Sequence, residues 1–170
     1  MKKMLKLFPA DEKFAEIFMK EKIRLVEMLG PEVEIEHVGS TAVSGLGGKG
    51  IIDMLVGVVD ASMMNVVVDI LVENGYFVDL DNEITSGRVF LASREHNSTL
   101  GDYHLHVVVK NEDEWCQFLF FRDELRRSNE LRDRYMNLKK ELFVETGADR
   151  EEYKKMKSDF VQNVLGEKNE

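Results

Sequence analysis

Hydrophobic positions along this chain change period several times, and each change marks an element. Phe14, Ile17, Phe18, Leu25, Met28 and Leu29 recur at helical spacing. They predict an amphipathic helix over Asp11 to Leu29, ended by Gly30-Pro31. Val33 to Val38 alternates as a strand does, and Ile51 to Val59 is almost continuously apolar, as in a strand covered on both faces. Met63, Val67, Ile70 and Leu71 share one face of a helix over Ser62 to Asn74, with Gly75 as its stop. Tyr76 to Leu80 reads as a short strand before an Asp81-Asn82 turn. Arg88 to Ser93 and Tyr103 to Val109 read as paired strands around a polar connection, Arg94 to Asp102. Three helices follow. Asn111 to Arg126 carries a capping box of Asn111 and Glu114. A second helix runs along Leu131, Tyr135, Leu138 and Leu142 to a stop at Gly147, and a third along Tyr153, Met156, Phe160 and Val164 with Asp149 and Glu152 as its cap. This order predicts an α+β fold: a mixed β-sheet covered by helices, with a C-terminal helical segment.

Between the first two strands the polarity pattern breaks into a loop. Val38-Gly39-Ser40-Thr41 leads into Gly45, Gly47, Gly48 and Gly50. Such a loop lets backbone N–H groups approach an anion closely, with hydroxyls from Ser40 and Thr41 available as further donors. The same hydroxyls could instead serve the turn itself. The apolar strand beyond it has one charged residue, Asp53. A lone carboxylate there costs several kcal/mol unless something pairs with it. Asp53 is therefore half of a structural ion pair or a ligand for a cation.

Composition narrows the partners. With 170 residues and 44% hydrophobic content, one domain can build a sizeable core, here a part at about 32–110 and a helical part at about 111–166. The net charge of −9 repels nucleic acid, and no aromatic and basic strand platform is visible. Lys2-Lys3, Arg126-Arg127, Lys139-Lys140 and Lys154-Lys155 sit among acids and read as solvated helix faces, with an anion-binding surface as the alternative. The single cysteine, Cys116, excludes an internal disulfide and reads as a small core residue. No apolar run reaches the roughly 20 residues of a membrane span, and the N-terminus lacks a signal-peptide core, so the expected location is the cytoplasm.

The runs EHVGSTAVSGL, KGIIDMLVGV, YHLHVVV, EWCQFLFFRDELR, YMNLKKEL and EEYKKMKSDFV occur in this order over nearly the whole chain. On these the chain resembles the GrpB family of small bacterial proteins, which is also similar to the C-terminal domain of some bifunctional dephospho-CoA kinases. The resemblance implies a nucleotidyltransferase-like, polymerase β-like core. It further implies a Gly-Ser turn that holds a triphosphate, and an Asp-x-Asp pair on the next strand that binds Mg²⁺ or Mn²⁺. Here Val38-Gly39-Ser40 and Asp53 match, but Leu55 stands where the second acid belongs. Residues two apart on a strand share a face, so Leu55 puts an apolar group at a metal-ligand position.

The strand Tyr103 to Val109 offers other ligands. Asp102, His104 and His106 share one of its faces. If that face meets Asp53, the set becomes one carboxylate with two imidazoles, suited to Mn²⁺, Fe²⁺ or Zn²⁺ more than to Mg²⁺. The two histidines could equally be structural or contact phosphate. His37 either orients the loop, contacts a ligand, or packs beside Glu36 as a strand-end residue. Lys49 is either a phosphate contact or solvated. Arg122 lies on the apolar stripe of Trp115, Phe118, Leu119 and Leu125. There it either binds phosphate or pairs with Asp123 to lock helix to sheet. Arg88 and Arg94 are weaker candidates near the same cleft.

Two functions follow as expectations. One is metal-dependent nucleotidyl transfer to a small molecule or protein, with Asp53 as the catalytic, metal-holding carboxylate. The other is a non-catalytic module that binds a nucleotide or coenzyme A-related ligand.

Overall fold

The computed structural model describes residues 7–79, 87–95, 98–145 and 150–166. Its elements follow the hydrophobic pattern closely. Helix α1 spans Lys13–Leu29, β1 Glu34–Val38, β2 Ile52–Val58, α2 Ala61–Glu73, β3 Phe77–Val78, β4 Arg88–Ala92 and β5 Tyr103–Val109. Helices α3, Asp113–Arg127, α4, Asn129–Glu145, and α5, Arg150–Gly166, complete the chain. This is the α+β class that the pattern predicts, with a five-stranded mixed sheet in the order β1-β2-β5-β4-β3. Strands β2 and β5 pair in parallel, and the other neighbours are antiparallel.

Strand alternation assigns the two faces. Ile52, Met54, Val56 and Val58 of β2 join Ile35, Leu105 and Val107 in a core covered by Phe14 and Phe18 of α1 and Met64, Val67 and Leu71 of α2. Each such side chain, fully buried, contributes roughly 1.5–3 kcal/mol. The opposite face carries Asp53, Leu55 and Gly57. Leu55 is 0% exposed and packs with Val38, Val108 and Trp115 of α3. A Cβ on Gly57 would lie 2.4 Å from the Trp115 ring, so glycine is what lets α3 dock this closely. A further apolar cluster ties the glycine loop to the C-terminal helices: Val43 and Leu46 pack against Leu125, Leu131, Tyr135 and Val164.

Some terminal details differ from the sequence reading. Helix α2 starts one residue earlier than expected, because the Asp60 carboxylate caps it by accepting from the Ser62 N–H at 2.8 Å. The capping box of Asn111 and Glu114 is not formed. Asn111 has φ +67, Glu112 occupies the cap position without a side-chain bond, and Glu114 reaches Arg88 instead. Cys116, expected in the core, is exposed. The Asp81-Asn82 turn, the end of the expected strand at Leu80, the Gly147 stop and the Asp149 cap lie outside the described residues. Among the described residues no helix is long and apolar enough to cross a membrane.

Candidate functional site

The site forms where three parts of the chain converge: the open end of β2, the Gly-Ser turn, and two helices distant in sequence. Asp53 pairs across the sheet with Val38 of β1, whose chain then turns sharply at Gly39. Gly39 has φ 72 and ψ −171, a backbone region essentially confined to glycine. A Cβ there would stand 2.4 Å from Asp53 Oδ2. Glycine at this position therefore lets the carboxylate rest against the turn. A short 3-10 turn, Ser40–Ala42, follows and presents the two hydroxyls.

On the other side of β2, the parallel register sets His104 beside Asp53 and His106 beside Leu55. His104 Nδ1 and His106 Nε2 both lie 3.5 Å from Asp53 Oδ1. The meeting of Asp53 with the two imidazoles, conditional in the sequence, is what the sheet produces. Burial pushes the Asp53 carboxyl up, but the His104 and His106 imidazoles outweigh it and hold the group well below the usual carboxylate range. Burial lowers His106, with Asp53 acting the other way. Packing fixes the His106 ring between Phe90 and Phe118. Asp102, expected on this face, is drawn off instead: it accepts from Arg94 Nε at 2.9 Å and from the Thr99 N–H at 2.6 Å. The same bonds account for Arg94.

His37 and Arg122 support the turn from behind. His37 is stacked on Phe18 and its Nε2 lies 2.9 Å from Thr41 Oγ1. Burial lowers its pKa to about 4, against the pull of Asp53, so it is neutral at pH 7. This contact ties the imidazole to the turn at Thr41. Arg122 donates to Glu36 Oε2 at 2.6 Å, to the His37 carbonyl at 3.1 Å and to Asp123 Oδ1 at 2.8 Å. Its guanidinium thus locks α3 to β1, and it does not line the cleft. Arg126, read as part of a solvated pair, donates to the Ala42 carbonyl from Nε and Nη2 and fixes the end of the short turn.

The cleft in front of Asp53 has a volume of about 100 Å³. That is smaller than the roughly 300–1,000 Å³ of pockets that enclose a whole drug-sized ligand. The sequence named Ser40 and Lys49 as candidates for its polar wall, but not the lysines that α4 and α5 bring to it. Lys139 of α4 and Lys157 of α5 line it together with Lys49, Ser40 and Tyr153. Lys139, read as part of a solvated pair with Lys140, is 2% exposed. Its Nζ lies 3.0 Å from Ser40 Oγ, donates to the Gly47 carbonyl and sits 4.8 Å from the Tyr135 ring centroid. Burial lowers its pKa to about 7, helped by Lys157 and Lys49. Lys157 moves the other way: Tyr135 and then Asp53 raise it above the ordinary lysine range against the effect of burial. Lys49 Nζ stands 5.0 Å over the Tyr153 ring. A spacing signal existed. Lys139 falls four residues after Tyr135, and Lys157 four after Tyr153, so each lies on the apolar stripe of its helix.

The donor set bears on metal binding. Two magnesium ions do not fit, because the position for a second carboxylate is the buried Leu55. Asp53 with His104 and His106 fits a single borderline ion in donor type. Among the described residues, however, no three His, Cys, Asp or Glu side chains form a ready cage. Ligation would also need both facing nitrogens bare. The protons would then sit on His104 Nε2, 3.1 Å from Ser98 Oγ, and on His106 Nδ1, which is buried without a partner.

Comparison with known proteins places this chain in a family and a fold group. Residues 4–167 match the family model described as GrpB protein. A UPF0157 protein of Streptomyces coelicolor is 33% identical over 89% of this chain and 77% of its own length. The glutamate-rich protein GrpB of Alkalihalophilus pseudofirmus is 33% identical over 92% of this chain and 91% of its own. Among solved structures, the conserved protein GrpB from Enterococcus faecalis superposes with a TM-score of 0.79 at 25% identity, over 97% of this chain and 100% of that one. The Cid1 poly(U) polymerase with bound MgGTP superposes with a TM-score of 0.53 at 14% identity, over 77% of this chain and 42% of that one. The second likeness shows a shared nucleotidyltransferase-like fold and no more.

Proposed function

Since the chain belongs to the GrpB family and carries a nucleotidyltransferase-like fold, we propose that its cleft binds the phosphate groups of a nucleotide or related phosphorylated small molecule. One observation carries this reading. Three lysines, Lys49, Lys139 and Lys157, gather around the Gly39-Ser40 turn in a chain whose net charge is −9. Basic side chains gathered at one cleft focus a potential that attracts an anion. Lysine serves phosphate as a point charge, and the turn adds hydroxyl and backbone donors. The small volume suits a phosphate chain with the rest of the ligand outside.

In this reading Ser40, Thr41 and Lys49 contact phosphate with Lys139 and Lys157, while His37 and Arg122 hold the turn. Asp53, His104 and His106 would hold one divalent ion, Mn²⁺ or another borderline metal. Such an ion would polarise a phosphoryl oxygen. With it, the reaction class is nucleotidyl transfer to a small molecule or protein. Leu55 favours a second reading, a non-catalytic module for a nucleotide or coenzyme A-related ligand, because a two-ion centre lacks its second acid.

Thermal unfolding with nucleoside triphosphates, coenzyme A and pyrophosphate, each with EDTA, Mg²⁺ or Mn²⁺, tests the proposal. A ligand at about 100 times its Kd adds roughly 2.7 kcal/mol, a rise in Tm of several degrees for a chain of this size. The rise should shrink in Lys157→Ala. No rise with any phosphorylated ligand would overturn the proposal. Turnover by the wild type would defeat the binding-only reading.

A further inference from the structure

Ser40 and Lys139 stand in a relation that phosphate binding alone does not use. Serine is a poor nucleophile until a neighbouring base takes its proton. Lysine can be that base when burial keeps it neutral near pH 7, and serine–lysine pairs recur among nucleophilic enzymes on unrelated folds. Lys139 is nearly fully buried, with Nζ 3.0 Å from Ser40 Oγ. The Gly47 carbonyl and the Tyr135 ring also face that nitrogen. A neutral amine has two N–H donors and one lone pair. The donors suit the carbonyl and the ring face, and the lone pair is left for the Ser40 hydroxyl. The three donors of the ammonium meet the same three neighbours, so loss of one proton turns a lone pair to the Ser40 hydroxyl and leaves every group partnered. Lys49 and Lys157 both disfavour its protonation, and Asp53, His104 and Tyr153 line the same cleft.

We propose that Ser40 is a nucleophile with Lys139 as its base, and that its electrophile is the phosphoanhydride of a nucleoside triphosphate lying in the cleft. The proposal rests on the phosphate-binding reading and deepens it. Ser40 Oγ attacks the α-phosphorus and forms an O–P bond. The bond from that phosphorus to the bridging oxygen breaks, and pyrophosphate leaves with the electron pair. The Ser40 proton passes to Lys139 Nζ. Lys49 and Lys157 line the cleft into which the departing charge would move. The product is a nucleotidyl-serine on this chain, either as a modification of the protein or as an intermediate on the way to a second acceptor.

The test is intact-mass spectrometry with peptide mapping on wild type, Ser40→Ala and Lys139→Met. Each is incubated from about pH 6 to about pH 9 with ATP or UTP, and separately with a small fluorophosphonate that needs no phosphate-binding cleft. Circular dichroism checks that the variants fold, and thermal shifts in the same samples report nucleotide binding. The expected result is one nucleoside monophosphate adduct on Ser40. Its rate should rise through about pH 7, where Lys139 loses its proton. It should fall roughly 100-fold in Lys139→Met and vanish in Ser40→Ala. The wild-type pH profile keeps the test informative if either variant misfolds. A folded wild type unmodified at Ser40 by either reagent overturns the proposal, as does an unchanged rate and profile in Lys139→Met. A fluorophosphonate adduct without a nucleotide adduct overturns the phosphoanhydride as electrophile. A nucleotide thermal shift beside that result leaves the binding reading standing, and its absence ends both.

Discussion

Substituting Gly39 by alanine tests the closest contact in the site, and Gly30 supplies a matched control. Both glycines have nearly the same backbone: Gly39 has φ 72 and ψ −171, and Gly30 has φ 91 and ψ 168. A side chain at either costs roughly 1–3 kcal/mol in backbone strain. Their surroundings differ. Nothing lies within 4 Å of a Cβ built on Gly30, whereas one on Gly39 would meet Asp53 Oδ2 at 2.4 Å and Asp53 Cβ at 2.9 Å. That overlap forces either the carboxylate or the turn to move. Overpacking of this kind adds roughly 1–3 kcal/mol. Gly39→Ala should therefore be about 2 kcal/mol more destabilising than Gly30→Ala, a further fall in Tm of roughly 4–8 °C for a chain of this size. Urea titration of both variants and wild type reads the difference directly. Gly39→Ala should also lose phosphate-ligand binding, while Gly30→Ala keeps it. Equal destabilisation by the two variants would refute the reasoning, because Asp53 would then not be resting on the turn.

Three other outcomes follow from the same geometry. His37 has a folded pKa of about 4 against 6.5 unfolded, so between those values the unfolded chain binds the extra proton. Stability should fall by about 3 kcal/mol as pH drops from about 6.5 to about 4, and His37→Gln should flatten that part of a urea-midpoint against pH curve. Gly57→Ala pushes a methyl into the ring of Trp115, the one tryptophan of the chain. It should cost about 1–3 kcal/mol and shift tryptophan emission, and an unchanged spectrum and midpoint would contradict the packing of α3. Leu55→Asp places a carboxylate where the side chain is 0% exposed. It should lose about 4 kcal/mol or more in urea titration without divalent ions. A smaller loss would mean that the position is wetter than its packing indicates.

Much of the candidate site was legible before the fold was known, because it depends on short periods. Glycines clustered after Val38 marked a close-approach turn, and Asp53 stood out as the one charge in an apolar strand. Alternation on β5 put His104 and His106 on one face, and the parallel pairing then brought that face to Asp53. The family resemblance marked Leu55 as standing where a second acid is expected, and alternation placed it on the face of Asp53. Asp102 failed by the same logic, since a neighbouring guanidinium and backbone N–H competed for it at the strand end, where no ladder fixes the side chain.

Local pattern alone determined the α+β class, the positions of the strands, and the turn with its carboxylate, because periods of two and 3.6 residues and glycine's backbone freedom act within a few residues. Only the tertiary structure decided what stands opposite that carboxylate. Lys139 lies 99 residues from Ser40 in sequence, and its ammonium could equally have faced water. Helix α4 presents it inward because Val43 and Leu46 of the glycine loop are buried against Leu125, Leu131, Tyr135 and Val164. Docking one apolar stripe thus fixes the rotation of the helix and carries its lysine into the cleft. A mixed-charge helix does not encode that orientation until its apolar face has a partner.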